Sequence, residues 1–120
     1  MSGTLAMLRS PLDFRAIQAD SRSRVHPLLV LRFRRNDLDR TRYGISTGRR
    51  LGSAVVRNRV RRRLKVLLRA LAGSGRIGRG WDILLVARPA AAGASQAELG
   101  VALERVMGAS GVLEGTGSSS

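Results

Sequence analysis

Between Arg49 and Arg69 the chain places nine basic residues and not one carboxylate. Guanidinium is a planar fork that grips phosphate through parallel hydrogen bonds and stacks on bases. A dense run of it is chemistry for a polyanion. The run belongs to a wider asymmetry: no Asp or Glu stands between Asp39 and Asp82, while thirteen basic residues lie from Arg40 to Arg79. Over 120 residues, 22 basic against 8 acidic side chains give a formal charge of +14. A field of that size repels itself unless a polyanion or salt offsets it, so nucleic acid is the first candidate partner. Of the basic residues 21 are Arg and one is Lys65. High genomic GC content also enriches Arg, so composition alone is weak evidence for Arg-specific chemistry.

Helical spacing arranges the run. Ser53 can cap a helix from Ala54 to about Leu71, in which Val56, Val60, Leu64, Leu67 and Leu71 recur every three or four residues as one apolar stripe. Arg57, Arg61 and Lys65 fall on a neighbouring face, and Arg59, Arg62, Arg63 and Arg69 fill the rest. Gly48 to Gly52 reads as a loop. Helix N-terminal amides favour phosphate, and the glycines at 48 and 52 let a ligand approach the backbone. A solvated face is the usual explanation of a charge run. Nine bases without an acid would be costly as mere solubilising charge, which favours binding. Asn58 either bonds RNA or braces its own helix, the commoner role near an N-terminus.

The elements that must position this helix are legible around it. Ser10, Pro11 and Asp13 give an N-cap, a proline at the first helical position and a carboxylate at the capping-box position, predicting a helix from Pro11 to about Ala19 with Phe14 and Ile17 on one face. Leu29, Leu31 and Phe33 alternate with Val30, Arg32 and Arg34, a strand with one apolar and one cationic face. Residues 35–40 read as a turn and Thr41 to Thr47 as a second β run, so a hairpin joining the two runs is expected. The glycine-rich stretch 73–80 predicts a mobile loop, and Asp82 to Ala87 a central strand covered on both faces and ended by Pro89. Ser95 and Glu98 form a capping box before a closing helix carrying Leu99, Ala102, Leu103, Val106 and Met107.

The order of helix, strands, long helix, strand and helix predicts one small α+β domain, with helices against a mixed sheet. The strand-helix-strand crossover through Ala54 to Leu71 would ordinarily be right-handed. The expected organisation is a flexible terminus at 1–9, a single domain at 10–109 and a disordered tail at 110–120. Only four residues are aromatic (Phe14, Phe33, Tyr43 and Trp81), so aliphatic packing must supply most of the core. The lone His26 reads as an ordinary surface or turn residue.

Other chemistries find little support. A protein nuclease needs convergent carboxylates for metal ions or a His-based acid and base. Asp13, Asp20, Asp37 and Asp39 are scattered over a helix and turns, and one histidine is present; no catalytic or metal-binding residue is assigned. The absence of cysteine excludes disulfides and thiolate metal sites. No apolar stretch approaches a membrane span and residues 1–10 lack a signal-type core, so a cytoplasmic protein with no membrane partner is expected.

The segment Arg49-Arg50-Leu51-Gly52-Ser53-Ala54-Val55-Val56-Arg57-Asn58-Arg59-Val60-Arg61-Arg62-Arg63-Leu64 resembles, nearly position by position, the signature of the bacterial ribonuclease P protein. Three further pieces occur in the family's order: Asp13-Phe14, Gly44-Ile45-Ser46, and Trp81 through Pro89. The resemblance covers most of residues 9–107. Gly48 and Val66 are small departures that leave the signature intact.

The resemblance implies the order αβββαβα with a mixed sheet of about four strands, as in domain 2 of ribosomal protein S5. It further implies an accessory subunit of the endoribonuclease that removes the 5′ leader of precursor tRNA, monomeric in a one-protein, one-RNA holoenzyme. The catalytic RNA performs hydrolysis with magnesium ions, and the protein by itself binds no cofactor. Arg49, Arg50, Arg57, Asn58, Arg59, Arg61, Arg62 and Lys65 are then the expected contacts to that RNA and to precursor tRNA. Phe14, Arg32 and Ser46 are the expected cleft for the leader. Phe14 either stacks on a base or packs with Ile17. Gln18 replaces an aromatic common in relatives, and Arg32 a tyrosine found in some, which shifts leader recognition toward cation contacts.

Two rival classes share the charge. A ribosomal-type structural RNA-binding protein would not promote cleavage in low magnesium. A DNA-binding protein using the Ala54 to Leu71 helix would read duplexes selectively and dimerise, and no dimer seam is evident.

Overall fold

The computed structural model describes residues 6–8 and 10–113. A helix over Pro11–Ala19 (α1) leads into strands Arg22–Val25 (β1), Leu29–Arg35 (β2) and Arg42–Thr47 (β3). The long helix Ala54–Gly73 (α2), strand Trp81–Ala87 (β4) and helix Gln96–Ser110 (α3) follow, with 3-10 turns at Arg49–Leu51 and Pro89–Gly93. The order αβββαβα and the four-stranded mixed sheet match the expectation.

Strand order is β1-β2-β4-β3, with β4 antiparallel to β2 and parallel to β3. This corrects the expected hairpin between Leu28 to Arg34 and Thr41 to Thr47. The hairpin partner of β2 is β1, whose sequence Arg-Ser-Arg-Val carries no apolar alternation because three of its four residues are exposed. The apolar strand β4, buried at four consecutive positions, separates β2 from β3 instead. A strand that greasy is stable only where neighbours shield both edges and both faces.

One face of the sheet holds the main core. Leu29, Leu31, Phe33, Ile83 and Leu85 pack there against Val60, Leu64 and Leu68 of α2 and Leu99, Leu103 and Met107 of α3. Leu68 rather than Leu67 continues the buried stripe, and Leu67 is half-buried. Burying Val60, Leu64 and Leu68 fully stabilises the docked helix by about 1.5–3 kcal/mol each. On the opposite face α1 buries Ile17 with Leu8 and Leu84, while Phe14 and Val86 are partly covered.

The β3-α2-β4 crossover is left-handed, opposite to the ordinary rule. In a strand of L-residues, side-chain direction and strand sense together dictate the side to which a residue's own N–H and C=O point. Tyr43 turns its side chain toward α2, while its N–H donates to the Ala6 carbonyl and its C=O accepts from Leu8. Residues 6–8 therefore lie to the right of an upward β3 seen from the helix side, and β4 to its left. The N-terminal segment along β3 occupies the edge where a right-handed crossover would have placed β4.

Three further expectations change. Ala6 to Leu8 do not behave as a flexible end, since Met7 bridges Tyr43 and Leu8 is buried. Val112 and Leu113 are buried too, so the core extends past residue 109; residues 114–120 of the expected tail lie outside those described. The stretch 73–80 is tethered rather than loose: Gly78 N–H donates to the Val112 carbonyl, and Thr41 Oγ1 donates to the Gly78 carbonyl.

Candidate nucleic-acid interface

The link from β3 to α2 is built on one apolar anchor. Leu51 is buried, and the 3-10 turn around it closes through Leu51 N–H to Gly48 O and Gly52 N–H to Arg49 O, both 3.1 Å. Arg49 and Arg50 project from this pinned turn into solvent. Gly52 has φ of +135°, a conformation open to glycine and unfavourable for any side chain. It redirects the chain so that Ser53 can cap α2, its Oγ accepting from Val56 N–H at 3.3 Å.

Along α2 the basic residues, with Asn58, divide into three rows. Asn58, Arg62, Lys65 and Arg69 are exposed on the outer ridge. Toward β3 lie Arg57, half-buried, and Arg61, whose guanidinium donates to Thr47 Oγ1 and, at 3.0 Å, to Asn58 Oδ1. Asn58 thus braces a neighbouring arginine. On the other flank Arg59 donates to the Ala92 carbonyl at 3.4 Å and Arg63 to the Ala94 carbonyl at 2.9 Å, so both hold the turn that enters α3. Arg63 was not among the expected site residues; its spacing four residues after Arg59 was the signal that the two share a row. The buried Nε atoms of Arg57 and Arg59 have no hydrogen-bond partner among the described residues.

Among the described residues no carboxylate pairs with any of these side chains. Among the described residues the ion pairs are Arg42 with Asp13 and Asp82, Arg76 with Glu104, and Arg79 with Asp39. All four lie outside the run from Arg49 to Arg69. The positive field of α2 and its preceding turn is therefore presented outward.

The other face of the sheet carries Phe14, Arg32 and Ser46 together. Arg32, Leu84 and Gly44 form one row across β2, β4 and β3, and Val30, Val86 and Ser46 the next. Phe14 lies over the first row: a Cβ built on Gly44 would sit 2.9 Å from Phe14 Cε1. Its ring packs against the cluster of Leu8, Ile17 and Leu84 and stays half-buried. Packing and an accessible edge coexist, so the two readings of Phe14 are not exclusive. Gln18 is exposed one turn away.

A polar clamp absent from the expectations holds α1 against this face. Arg42 donates to both carboxylate oxygens of Asp82, at 2.9 and 2.8 Å, and also lies 3.4 Å from the Asp13 carboxylate. Asp13 therefore faces Arg42 rather than closing a capping box, and Ser10 caps α1 by accepting from Leu12 N–H. Burial pushes the Asp82 carboxyl upward, but hydrogen bonds from Arg42 and Asn36, with the charges of Arg42 and Arg34, outweigh it and hold its pKa below the ordinary value. The Arg42 pKa is raised, chiefly by its hydrogen bond to Asp82. A carboxylate opening an otherwise apolar strand was the signal that could have revealed the clamp.

Among the described residues no three His, Asp or Glu side chains converge as a metal site, and no helix is long and apolar enough to cross a membrane.

The sequence pattern of the family described as Ribonuclease P matches residues 4–110. The ribonuclease P protein component of Roseiflexus castenholzii is 35% identical over 109 residues, covering 90% of this chain and 88% of that protein. That of Herpetosiphon aurantiacus is 35% identical over 100 residues, covering 83% and 80%. In three dimensions the chain is similar to the RNase P protein of Staphylococcus aureus, with a TM-score of 0.82, 25% identity and coverage of 92% and 100%. It is also similar to that of Thermotoga maritima, with a TM-score of 0.69, 28% identity and coverage of 83% and 96%. Sequence match and shared architecture agree over nearly the whole length, and the chain belongs to the ribonuclease P protein family.

Proposed function

We propose that this chain is the protein subunit of a ribonuclease P holoenzyme. In this reading α2 and its preceding turn grip the catalytic RNA and precursor tRNA, while the face bearing Phe14, Arg32 and Ser46 receives the single-stranded 5′ leader. The observation that carries it is the basic run from Arg49 to Arg69, which no carboxylate among the described residues neutralises and of which Arg49, Arg50, Arg61, Arg62, Lys65 and Arg69 are exposed, in a chain of this family. Such a surface binds through phosphate neutralisation and counterion release. The two surfaces meet at the end of β3, where Ser46 faces the α1 side and the next residue, Thr47, accepts from Arg61 on the α2 side. One RNA assembly can therefore touch both faces at that end of the sheet.

The chain's part is binding and orientation. In this reading bond cleavage, with its magnesium ions, belongs to the RNA; among the described residues no three His, Asp or Glu side chains converge on a metal position. The protein acts in the cytoplasm as a single copy beside one RNA. Reconstitution with a candidate ribonuclease P RNA tests this directly. Cleavage of precursor tRNA at low magnesium should rise on adding the protein, and the protein alone should cleave nothing. Hydrolysis by the protein alone, or no gain with the RNA, overturns the reading.

A further inference from the structure

The end of the sheet away from the first turn of α2 carries a feature that the proposed interface does not use. The α1 to β1 link, the end of β2 and the start of β4 enclose a cavity of about 490 Å³. Phe33 and Trp81 meet there edge to face, with ring centroids 5.9 Å apart. The Arg35 guanidinium lies 4.7 Å over the indole. Half of the chain's four aromatic residues are gathered at this one place.

The walls are cationic. Arg22 and Arg35 line the cavity, and among the described residues neither is ion-paired to a carboxylate; Arg34, which also lines it, belongs by strand alternation to the α1 face beside Asp82. Ser21 also lines it, and its buried hydroxyl has no hydrogen-bond partner among the described residues. Asp20 on the rim adds an acceptor suited to an amino group.

The Trp81 indole under the Arg35 guanidinium, with Arg22 also lining the cavity, selects a ligand that is planar, anionic and compact. A peptide or neutral aromatic would leave the charges unanswered, and inorganic phosphate would leave the indole uncovered. The volume falls in the ordinary range for small-ligand pockets. Arginine planes and aromatic rings together are the usual platform for unstacked bases. We propose that this cavity is a second RNA contact that holds one unstacked nucleotide of single-stranded RNA, its base against Trp81 and Arg35 and its phosphate on Arg22.

The site is separate from the interface above. Trp81 and Ala87 are the two ends of β4, six strand steps or about 20 Å apart, and the Ala87 end pairs with Thr47, where α2 is anchored. The contact extends the RNA path along the molecule rather than restating it.

Trp81 is the only tryptophan, so its emission reports this cavity. The full chain is titrated with a labelled hexaadenylate, following label anisotropy and Trp81 fluorescence together. Saturable quenching of Trp81 is expected, and Arg22→Ala with Arg35→Ala should weaken it at least about fivefold, the lower end of the cost of a lost stacking contact. Arg35→Lys keeps the charge but not the plane, and should also weaken it if the pair folds normally by circular dichroism. Arg57→Ala with Arg61→Ala should leave the quenching constant unchanged. Binding seen by anisotropy with silent Trp81 emission overturns this proposal and leaves the α2 interface standing. Quenching lost through the α2 substitutions overturns it as well, and flat anisotropy at saturating RNA overturns both readings.

Discussion

Arg42 and Asp82 stand directly opposite each other on parallel strands, and both carboxylate oxygens of Asp82 accept from the one guanidinium. The carboxylate is 8% exposed and the arginine 21%, so water cannot replace a lost partner fully. Replacing Arg42 with Ala leaves a nearly buried charge held by Asn36 alone, at 2.8 Å. The expected cost is about 2–4 kcal/mol, near the lower end for breaking a buried pair because Arg42 keeps some solvent contact. Urea unfolding checks it, with the midpoint falling and the slope unchanged. Because Arg42 also reaches Asp13, α1 should loosen together with the sheet.

The same pair makes the fold acid-sensitive. The folded Asp82 carboxyl binds its proton less tightly than the unfolded one, so unfolding takes up a proton as the solution is acidified. The stabilisation is complete above the ordinary carboxylate value of about 3.9 and is lost as pH falls through the lower folded value. Stability measured from neutral pH down to strong acid should therefore fall more steeply in the natural chain than in Asp82→Asn. Parallel curves would remove Asp82 as a cause.

The sequence showed most of the fold because its signals were local. The α2 stripe, the Ser95 and Glu98 box and the apolar run of β4 each declare an element within a dozen residues. The box closes as expected, with Ser95 N–H donating to Glu98 Oε1 at 2.8 Å and Ser95 Oγ accepting from Glu98 N–H at 3.1 Å. Pairing between strands is not local. β2 and β3 follow each other in the chain, yet β4, arriving some forty residues later, takes the place between them. Nothing in either run marks which neighbour it will find, and only the burial demand of Ile83, Leu84 and Leu85 decides it. The candidate site was legible as a run of Arg, but its division into rows was not. Arg61 and Arg63 are two residues apart and of one type, and only tertiary partners, Thr47 and the Ala94 carbonyl, tell them apart.

Tyr43 makes a second titration readable at the alkaline end. The residue is 6% exposed, and burial pushes its pKa up to about 12. The fold favours the neutral phenol, so this contribution is whole below the unfolded value of about 10 and disappears as pH rises through about 12. It is the only tyrosine in the chain, so phenolate absorbance follows it alone. The folded midpoint should lie well above that in urea, and coincident midpoints would show an accessible ring.

Gly44 is where a single methyl group should disturb the leader face. A Cβ there would sit 2.9 Å from Phe14 Cε1 and 3.2 Å from Leu8 Cδ1 and Leu84 Cδ1. Leu84 is in the central strand, so Phe14 and α1 must give way. Gly44→Ala should cost about 1–3 kcal/mol, as overpacking usually does. It should weaken binding of leader-bearing precursor tRNA more than of mature tRNA. Equal weakening of both would mean that Phe14 serves packing alone.

Neighbouring arginines on α2 should fail in different ways. Arg62 and Lys65 are exposed on the outer ridge, so removing either should leave the unfolding midpoint nearly unchanged. Each removal should lower RNA affinity and reduce the dependence of log affinity on log salt by about one unit, the share of one neutralised phosphate. Arg63 donates to the Ala94 carbonyl, just before the cap of α3. Arg63→Ala should therefore lower stability by about 1.5–3 kcal/mol, as expected for a lost hydrogen bond from a charged group, with a smaller change in salt dependence. Arg61 combines both roles through Thr47 and Asn58, and its removal should show both effects. Binding isotherms at several salt concentrations, paired with urea unfolding of each variant, separate the three. If Arg62 and Arg63 variants changed the salt slope equally and neither lost stability, the division of α2 into a binding ridge and a bracing flank would be wrong.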